Sequence, residues 1–448
     1  MHFLKIKPIS SAQIITLGFA GIILLGALLL SLPISSRAGS FTPFFDALFT
    51  AASAVCVTGL VIYDTFSYWT PFGQAVIIGL IQIGGMGVVT IAVTLFMLSG
   101  KRISLKQRIV MRDSISVSQT GGIIKLTGFI IRATIVIELC GALLLAYRFI
   151  PRMGIGAGLW AGLFHSISAF CNAGFDLMGR YEPFSSFVSY ADDPLINLVL
   201  MLLIITGGIG FLVWNDVRRF GFRLYRYCLQ SKLVLITTAA LILFPFLFFF
   251  LYEMALPQWS ALSLAEKFWG SLFQAVTPRT AGFNTLDITA LSSQSYLLCI
   301  LLMIIGGSPG STAGGFKTTT FAALLLCAVC YIRRKASIEV LGRRIPQSAI
   351  QNAVTIVFLY AMLFLSGSMA ISMIDGLPLR DCLFECASAI GTVGLTCGIT
   401  AKCSLFSRFI LILLMYFGRV GGLTLIYAIS RTHQPDLSRS PEEQITIG

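Results

Sequence analysis

Four short segments of this chain resemble one another, and each has the same sequence context. They are Val57-Thr58-Gly59-Leu60, Asn172-Ala173-Gly174-Phe175, Thr280-Ala281-Gly282-Phe283 and Thr392-Val393-Gly394-Leu395. Their glycines are 115, 108 and 112 positions apart (174 − 59, 282 − 174 and 394 − 282). Each segment follows a short amphipathic stretch and precedes a long apolar one. Four such loops in one chain can close a ring around an axis, and we expect four equivalent structural units.

The composition places most of the chain in a membrane. Of the 448 residues, 56% are hydrophobic and only 11% are charged, and the mean hydropathy is +0.87. A soluble domain has roughly 25% charged residues. The first apolar run, from Ser11 to Pro33, is long enough to span a hydrocarbon core, and no clear small-x-small cleavage site follows it. We therefore expect a retained first helix rather than a signal peptide.

The net charge of +13 would suggest a nucleic-acid partner in a soluble protein, but here the basic residues are grouped in short loops. The groups are Lys5 and Lys7; Lys101, Arg102, Lys106, Arg108 and Arg112; Arg218, Arg219, Arg223, Arg226 and Lys232; and Arg333, Arg334, Lys335, Arg343 and Arg344. The intervening loops are more acidic. This alternation is typical of the positive-inside rule, so we expect both termini in the cytoplasm and no nucleic-acid partner.

Eight long apolar runs alternate with four shorter apolar segments. The long runs are 12–33, 73–98, 122–149, 194–214, 232–254, 294–330, 350–374 and 405–430, and the short segments are 42–56, 158–171, 264–277 and 379–391. The short segments have the profile of re-entrant half-helices, because they cannot cross a membrane and are too apolar for water. The sequence predicts an all-α integral membrane protein with eight transmembrane helices in four tandem helix–pore-helix–helix (M1-P-M2) repeats, arranged with pseudo-fourfold symmetry. The predicted repeats are 12–98, 122–214, 232–330 and 350–430, followed by a cytoplasmic tail, 431–448.

The second long run of each repeat contains a glycine cluster. The clusters begin at Gly84, Gly207, Gly306 and Gly418, which are 25, 33, 24 and 24 residues after the loop glycine of the same repeat (84 − 59, 207 − 174, 306 − 282 and 418 − 394). Glycines in membrane helices usually allow close packing. We expect these helices to crowd around the shared axis.

The four loops have the properties required of an ion filter. A ring of backbone carbonyl oxygens can replace the hydration shell of a potassium ion. Such a ring needs backbone conformations, often with positive φ, that glycine adopts at little cost. The predicted ion-binding residues are Val57, Thr58, Gly59, Asn172, Ala173, Gly174, Thr280, Ala281, Gly282, Thr392, Val393 and Gly394. This filter, for the transported potassium ion, is the one metal site that the sequence predicts.

These loops and repeats make the chain resemble the Trk/Ktr/HKT superfamily of potassium transporters over essentially all of residues 12–430. The potassium-channel filter Thr-Val-Gly-Tyr-Gly is matched only as far as its first glycine, so we expect a shorter filter with fewer ion sites. Plant relatives that prefer sodium carry serine in the first loop, and Gly59 in this chain favours potassium.

The first apolar run leads directly to the first pore helix, without the two additional N-terminal helices of Trk-type subunits, so the chain resembles a bacterial KtrB-type subunit. The resemblance implies a homodimer in the bacterial inner membrane, in contact with lipid. It also implies a cytoplasmic ring of RCK-type nucleotide-binding regulatory subunits (KtrA-like). Because the chain has no G-x-G-x-x-G motif after a strand and no predicted soluble domain, we expect any nucleotide on that partner and no organic cofactor here.

The sixth apolar run is interrupted by small and helix-breaking residues: Gly306, Gly307, Ser308, Pro309, Gly310, Ser311, Thr312, Ala313, Gly314 and Gly315. These residues cannot form a continuous helix. One interpretation is a cytoplasmic loop between two short helices. However, the flanking fragments together have the length of one crossing and no basic cluster separates them. The motif also resembles the intramembrane gating loop of the family, so we expect a gate below the filter.

Two basic residues lie close to this predicted gate. Arg419 is in the middle of an apolar run, and the family has a basic residue here beside the gating loop. A cation at that depth is costly and usually faces a cavity or a partner. We expect Arg419 to repel potassium ions and to donate hydrogen bonds that hold the loop shut. Lys317 either acts in the same way or extends to the inner interface.

Three acidic residues in apolar surroundings have open assignments. Glu138 has either a structural partner such as Arg132 or a functional role. Asp46 and Glu385, in the short segments, either attract cations at the mouth of the filter or bond to loop amides that shape it.

An enzyme or an energised pump is the competing functional class. The eleven cysteines lie mostly in apolar stretches, the Cys327-Cys330 pair has no second pair, and only three histidines are present. Cys397 and Cys403 share an outer loop, which leaves a disulfide open. No paired carboxylates or phosphate-binding G-x-x-x-x-G-K-[ST] motif occur, so we expect a transporter without chemistry of its own. A sodium-coupled or sodium-selective transporter of the same superfamily is the alternative.

Overall fold

The structure, a computed structural model, describes residues 10–98, 104–115, 122–335 and 337–429. The predicted tail, 431–448, and the basic residues Lys5, Lys7, Lys101 and Arg102 lie outside these ranges. The described residues are mainly helical, with one short hairpin formed by β1 (Glu339–Val340) and β2 (Arg343–Arg344).

The helices of the described part of the chain follow one another in a repeating order of long and short elements. They are α1 (Ser11–Ser31), α2 (Phe44–Val55), α3 (Thr65–Tyr68), α4 (Pro71–Met86), α5 (Val88–Leu98), α6 (Leu105–Ile115), α7 (Ile123–Met153), α8 (Ile155–Phe170), α9 (Pro194–Gly208), α10 (Phe211–Phe220), α11 (Leu229–Leu251), α12 (Leu264–Val276), α13 (Ser293–Ile304), α14 (Thr318–Ile332), α15 (Gln347–Asp375), α16 (Leu379–Gly391), α17 (Leu405–Val420) and α18 (Gly422–Ile429).

Four helices of the described chain are long and apolar enough to cross a membrane by themselves. They are Ser11–Ser31, Ile123–Met153, Leu229–Ala255 and Gln347–Asp375, the third counted with the turn that follows it. Their ends have recognisable caps. Ser10 and Gln13 form a reciprocal capping box at the start of α1, and Gly376 ends α15 in the left-handed conformation. The first helix of each predicted repeat is therefore a single uninterrupted element.

The second helix of each predicted repeat is broken, whereas the sequence led us to expect a break only in the third repeat. Gly87, Gly210 and Gly421 separate α4 from α5, α9 from α10 and α17 from α18, with φ values of 85°, 93° and 90°. Glycine adopts these values without the Cβ clash of other residues, which is why the clusters end helices as well as pack them. The bend between α9 and α10 is 95°. If this pair is counted as one span, the number of candidate membrane spans in the described chain rises from four to five.

The four short helices α2, α8, α12 and α16 pack in a cyclic order. Each packs on the long helix before it, and also on the first half of a broken helix: α8 on α4, α12 on α9, α16 on α13 and α2 on α17. The last of these contacts joins the end of the chain to its beginning. Each short helix also buries phenylalanine side chains to 1% exposure or less: Phe49, Phe164 and Phe170, Phe273, and Phe384. These aromatic side chains therefore pack within the protein, and the four units surround a common centre.

Candidate functional site

The four glycine-containing loops meet at this centre and form a closed ring. A Cβ atom added to Gly59 would lie 2.5 Å from the carbonyl oxygen of Ala173, and one added to Gly174 would lie 2.8 Å from that of Ala281. In the same way, Gly282 faces the carbonyl of Val393, and Gly394 faces that of Thr58. The ring thus passes through all four loops in chain order and returns to the first. No room remains at these four positions for a side chain.

The four loops also share one backbone conformation. The glycines have φ values of 95°, 68°, 82° and 93° in chain order, as the sequence predicted. The first residue of each loop has positive φ as well: Val57 (59°), Asn172 (60°), Thr280 (71°) and Thr392 (52°). Three of these four are β-branched, for which positive φ is a genuine outlier that costs about 1–3 kcal/mol. Strain of this kind persists where the surrounding structure imposes it, and it is concentrated at functional sites.

Hydroxyl groups of the preceding helices hold the loops in this conformation. Ser53 Oγ accepts a hydrogen bond from the Gly59 N–H (3.1 Å), and Ser388 Oγ accepts one from the Gly394 N–H (2.9 Å). In the other two loops the hydroxyl donates instead. Ser168 Oγ donates to Phe175 O (2.7 Å), and Thr277 Oγ1 donates to Phe283 O (2.5 Å). These four hydroxyl residues were not predicted to belong to the site, although the sequence has a hydroxyl five or six positions before each loop glycine.

The short helices end at the ring, which gives it a favourable potential for cations. The C-terminus of a helix carries a partial negative charge of roughly half an electron. The last carbonyl groups of three of these helices lie against glycines of the broken helices, so that a Cβ at Gly84, Gly207 or Gly418 would collide with the carbonyl oxygen of Val55, Phe170 or Ile390, respectively. The glycine clusters therefore allow the broken helices to approach the backbone at the ends of the short helices.

The segment between α13 and α14 lies against the ring. We call Ile305–Phe316 the plug segment. Thr312 Oγ1 lies 3.0 Å from Phe170 O and 3.1 Å from Asn172 Oδ1, and these two acceptors share its one proton. Asn172 Nδ2 donates to Thr280 Oγ1 (3.2 Å). On the opposite side, a Cβ at Gly314 would collide with the Thr392 side chain. The plug segment thus touches the first residues of the second and fourth loops, and it is not an exposed connection.

The plug segment is fastened to the break between α9 and α10. Its backbone forms three hydrogen bonds there: Ser308 N to Gly208 O (3.0 Å), Thr312 N to Gly207 O (3.2 Å) and Phe211 N to Gly310 O (2.7 Å). Two glycines that the sequence analysis assigned only to helix packing, Gly207 and Gly208, therefore also provide acceptors for the plug segment.

Arg419 connects the plug segment to the first repeat. Its guanidinium donates to the carbonyl of Thr312, and also to those of Gly84 (2.5 Å) and Gly85 (3.0 Å). All three acceptors are backbone carbonyl groups, and within the described ranges Arg419 forms no ion pair with a carboxylate. The predicted contact between Arg419 and the loop is therefore present in the structure.

Lys317 also faces the plug segment. Its Nζ donates to Ala313 O (2.8 Å) and lies 3.4 Å from Gly314 O. Of the two interpretations that the sequence left open, extension to the inner interface does not describe this position. Below the plug segment, Lys317 and Arg419 line a cavity of about 280 Å³ together with Asp113 of α6. None of the residues of the four loops lines this cavity.

The structure shows side-chain partners for two of the acidic residues whose roles the sequence left open. Asp46 accepts from Tyr63 Oη (2.7 Å) and forms an ion pair with Arg408 (2.8 Å). Glu385 accepts from the hydroxyl of Thr396 (2.8 Å) and from that of Thr400. In the described structure both carboxylates thus bond to side chains, and neither accepts from a loop amide.

The structure also gives partners to Glu138 and Cys397, whose assignments the sequence left open. Glu138 does not pair with Arg132 in the described structure, because its carboxylate accepts from Gln82 Nε2 (3.3 Å) on α4. Cys397 and Cys403 are free thiols, and Cys397 Sγ lies 2.9 Å from the hydroxyl of Tyr296. In both cases the partner comes from another helix, which the local sequence could not indicate.

Arg279 is a buried cation beside the third loop that the sequence analysis did not single out. It is three positions before Gly282 and only 7% exposed. Its guanidinium Nη1 lies 3.5 Å from Thr238 O, and its Nε has no hydrogen-bond partner in the described structure. A charged residue directly before a predicted filter loop was the signal that could have identified it.

Asp176, two positions after Gly174, carries a carboxyl group with a perturbed pKa. Burial, with a smaller contribution from the nearby Asp64 carboxylate, raises the pKa of Asp176 from 3.8 to about 7, although the Met178 N–H (2.9 Å from Oδ1) lowers it in part. This group therefore changes its charge near neutral pH.

The comparisons with known proteins agree on one family. The TrkH family model, described as a cation transport protein, matches residues 26–440. The potassium/sodium uptake protein NtpJ of Enterococcus hirae is 38% identical over 99% of this chain and 98% of its own length. The Ktr system potassium uptake protein B of Bacillus subtilis is 40% identical over 97% of this chain and 96% of its own length.

The fold agrees as well. The crystal structure of the potassium transporter TrkH from Vibrio parahaemolyticus superimposes with a TM-score of 0.73, covering 96% of this chain and 87% of that one, at 20% sequence identity. At that identity the likeness concerns the fold alone. Together with the family match and the two relatives, it shows that this chain belongs to the TrkH family of cation transport proteins, within the Trk/Ktr superfamily, and is a transporter rather than an enzyme.

Proposed function

We propose that this chain takes up potassium ions across the cell membrane as a KtrB-type subunit. The closed ring of four glycine-containing loops is the observation that carries the proposal, because it brings backbone carbonyl groups from four units around one axis. The printed names of the relatives, potassium/sodium uptake protein and Ktr system potassium uptake protein B, support the same cargo.

In this proposal the chain has four M1-P-M2 repeats and eight membrane crossings, of which four are made by the broken helices. The filter consists of the twelve loop residues predicted above, and the plug segment is the gate, held by Arg419 and Lys317. The basic loops and both termini face the cytoplasm, so the ring lies toward the outside and the 280 Å³ cavity toward the inside. The chain acts as a homodimer with a cytoplasmic ring of RCK-type nucleotide-binding subunits, which regulate the gate.

Sodium transport, or coupling to sodium, is the second candidate, and the name of the Enterococcus hirae relative favours keeping it. The deciding experiment measures uptake of rubidium, a potassium substitute, and of sodium in bacterial cells that lack their own potassium uptake systems. If the chain takes up potassium, it should restore growth at low potassium, and rubidium should enter the cells in preference to sodium. Sodium entry without rubidium entry would instead support the second candidate.

Arg419→Ala is expected to raise the maximal rate of rubidium uptake several-fold with little change in apparent affinity. The change removes three hydrogen bonds to the plug segment and α4, and charge-assisted hydrogen bonds contribute about 1.5–3 kcal/mol each. It also removes a cation beside the path, which repels a second unit charge at 4 Å by about 4 kcal/mol at an effective dielectric of 20. Rubidium uptake over a concentration series separates rate from affinity.

Arg419→Lys is the control for the first of these effects, since it keeps the charge but loses the planar fork of donors. Near-normal uptake in the lysine variant, together with raised uptake in the alanine variant, identifies the positive charge as the main barrier to ion passage. A changed affinity at unchanged maximal rate would place Arg419 at the filter rather than at the gate.

External acidification from pH 8 to pH 6 is expected to raise the apparent KM for rubidium about threefold, a moderate electrostatic effect. The sign follows from the pKa of Asp176, about 7: the carboxylate is mostly charged at pH 8 and mostly protonated at pH 6. Protonation removes a negative charge only two positions along the chain from Gly174, so cations are attracted less. Asp176→Asn should show the higher KM at both pH values, and Asp192→Asn, an exposed outer carboxylate, should keep the pH dependence. A pH response that survives in Asp176→Asn would exclude this residue as its source.

A further inference from the structure

A strongly basic cavity lies away from the ring and the plug segment, and nothing in the proposed ion pathway uses it. Its volume is about 870 Å³, within the range of roughly 300–1,000 Å³ that is typical of ligand pockets. It is enclosed by the end of α10, the turn that leads into α11, the start of α11 and the β1–β2 hairpin. Its charged lining residues are Arg219, Arg226, Lys232, Arg343, Arg344 and Asp216.

The positive charges of this cavity greatly exceed the negative ones. Five cationic side chains line it against one carboxylate, which leaves four positive charges uncompensated (5 − 1 = 4). That carboxylate, on Asp216, already accepts a hydrogen bond from the Cys228 N–H (3.0 Å). In the described structure none of the five cations lies within 4.0 Å of a carboxylate oxygen. Like charges at this density repel one another, so the cavity favours an anionic ligand.

Exposed apolar side chains lie at this cavity and next to it in the chain: Tyr225 and Leu341 line it, and Phe222 and Leu224 belong to the same turn as Tyr225. Phe222 is fully exposed, and Leu224, Tyr225 and Leu341 are each more than half exposed. They lie in the turn before α11 and in the hairpin, at the cytoplasmic ends of apolar helices in the orientation proposed above. Basic residues beside exposed aromatic and aliphatic ones are typical of a membrane interface, where the charges meet headgroups and the apolar groups enter the acyl region. A small soluble anion would leave these apolar groups in water.

We propose that this cavity binds the phosphate headgroup of an anionic phospholipid from the inner leaflet. The guanidinium groups of Arg219, Arg226 and Arg343 supply the paired donors that suit phosphate oxygens, and Phe222 and Tyr225 pack among the acyl chains. The inference rests on the proposed function only for the orientation of the chain, since it requires the basic loops to face the cytoplasmic leaflet. Lipid binding is separate from ion passage, because the cavity contains no residue of the ring or the plug segment.

The test is a competition for lipid on the purified full chain in mild detergent, read by native mass spectrometry. Phosphatidylglycerol and phosphatidylcholine of equal acyl composition are supplied together. We expect phosphatidylglycerol to be retained at least about tenfold in excess, because its headgroup has a net negative charge and that of phosphatidylcholine has none. The triple variant Arg219→Gln, Arg226→Gln, Arg343→Gln should lose this preference. The matched control neutralises Arg333, Arg334 and Lys335, three exposed basic residues outside the cavity, and should keep it.

Three results would overturn the lipid site. An equal loss in the control variant would indicate general attraction to the basic face. Displacement of the lipid by millimolar inorganic phosphate would indicate a soluble-anion site. The third result is that the chain shows no preference for phosphatidylglycerol, whereas binding of the regulatory subunits depends on Arg219, Arg226 and Arg343. It would indicate a protein-docking surface. The phosphate competition uses the unaltered chain and decides the question even if the triple variant does not fold. Rubidium uptake, measured in parallel, tests the proposed function separately.

Discussion

Removal of Gly310 to Gly314 is expected to raise rubidium uptake about tenfold and to make it independent of the regulatory subunits. The deleted residues include Thr312, which bonds to the second loop and to Arg419, so the deletion releases contacts worth at least about 1.4 kcal/mol, the equivalent of a tenfold change. The flanking helices need not move. Ile305 and Phe316 already pair as neighbouring backbone segments, and Gly306 N donates to Phe316 O at 3.0 Å.

Two adjacent point variants provide the matched control for this deletion. Thr312→Ala removes a hydroxyl that bonds to Phe170 O and Asn172 Oδ1, and it should raise uptake to a smaller extent. Ser311→Ala removes a hydroxyl that has no hydrogen-bond partner in the described structure, and it should leave uptake unchanged. If the deletion abolishes flux while the protein remains folded and dimeric, the plug segment is a structural connection and not a gate.

Gly59→Ser is expected to lower the ratio of rubidium to sodium uptake about tenfold. Its Cβ would lie 2.5 Å from Ala173 O, where no normal contact exists, so the carbonyl must turn away or the first loop must move outward. The φ of 95° adds strain for any residue with a side chain. Either movement spoils the spacing of carbonyl oxygens that selects potassium, and a loss of about 1.4 kcal/mol of discrimination corresponds to tenfold.

Gly79→Ser is the control for a serine introduced into the same repeat. A Cβ at Gly79 on α4 meets no atom within 4 Å, and its φ is not in the left-handed region. The ratio of rubidium to sodium uptake in Gly79→Ser should match that of the unaltered chain. This result would separate a local effect at the ring from a general effect of an added serine. An unaltered ratio in Gly59→Ser would remove this glycine from the filter.

The sequence indicated the ring because the requirement for glycine at a crowded axis is visible in the residues themselves. Gly59, Gly174, Gly282 and Gly394 recur with similar spacing, and each follows an apolar segment too short to cross a membrane. The breaks at Gly87, Gly210 and Gly421 were not foreseen, because a glycine within an apolar run allows both close packing and helix termination. Which of the two occurs depends on the neighbouring helices.

The tertiary partners of buried polar groups were the least predictable feature. Glu138 accepts a hydrogen bond from Gln82, 56 positions away, and Arg419 donates one to the carbonyl of Gly84, 335 positions away. No local pattern marks such pairs, since any helix at the same depth could supply the acceptor. The positive φ of Val57 and Thr392 was also not foreseen, because propensity argues against it in β-branched residues. It accompanies backbone hydrogen bonds that close the ends of the short helices, from Thr58 N to Ser53 O (2.8 Å) and from Val393 N to Ser388 O (2.8 Å).

Closure of the ring also constrains the order of events during synthesis. Gly394 rests against the carbonyl of Thr58, and the two loop glycines that meet there, Gly59 and Gly394, are 335 residues apart (394 − 59). The first loop therefore emerges from the ribosome long before its neighbour exists, and contacts of such long range form late. Until the fourth unit is inserted, the first loop lacks the neighbour that Gly394 supplies beside Thr58. A nascent chain that stops after three units would thus carry most of the protein's helices but no ring, and hence no leak for ions.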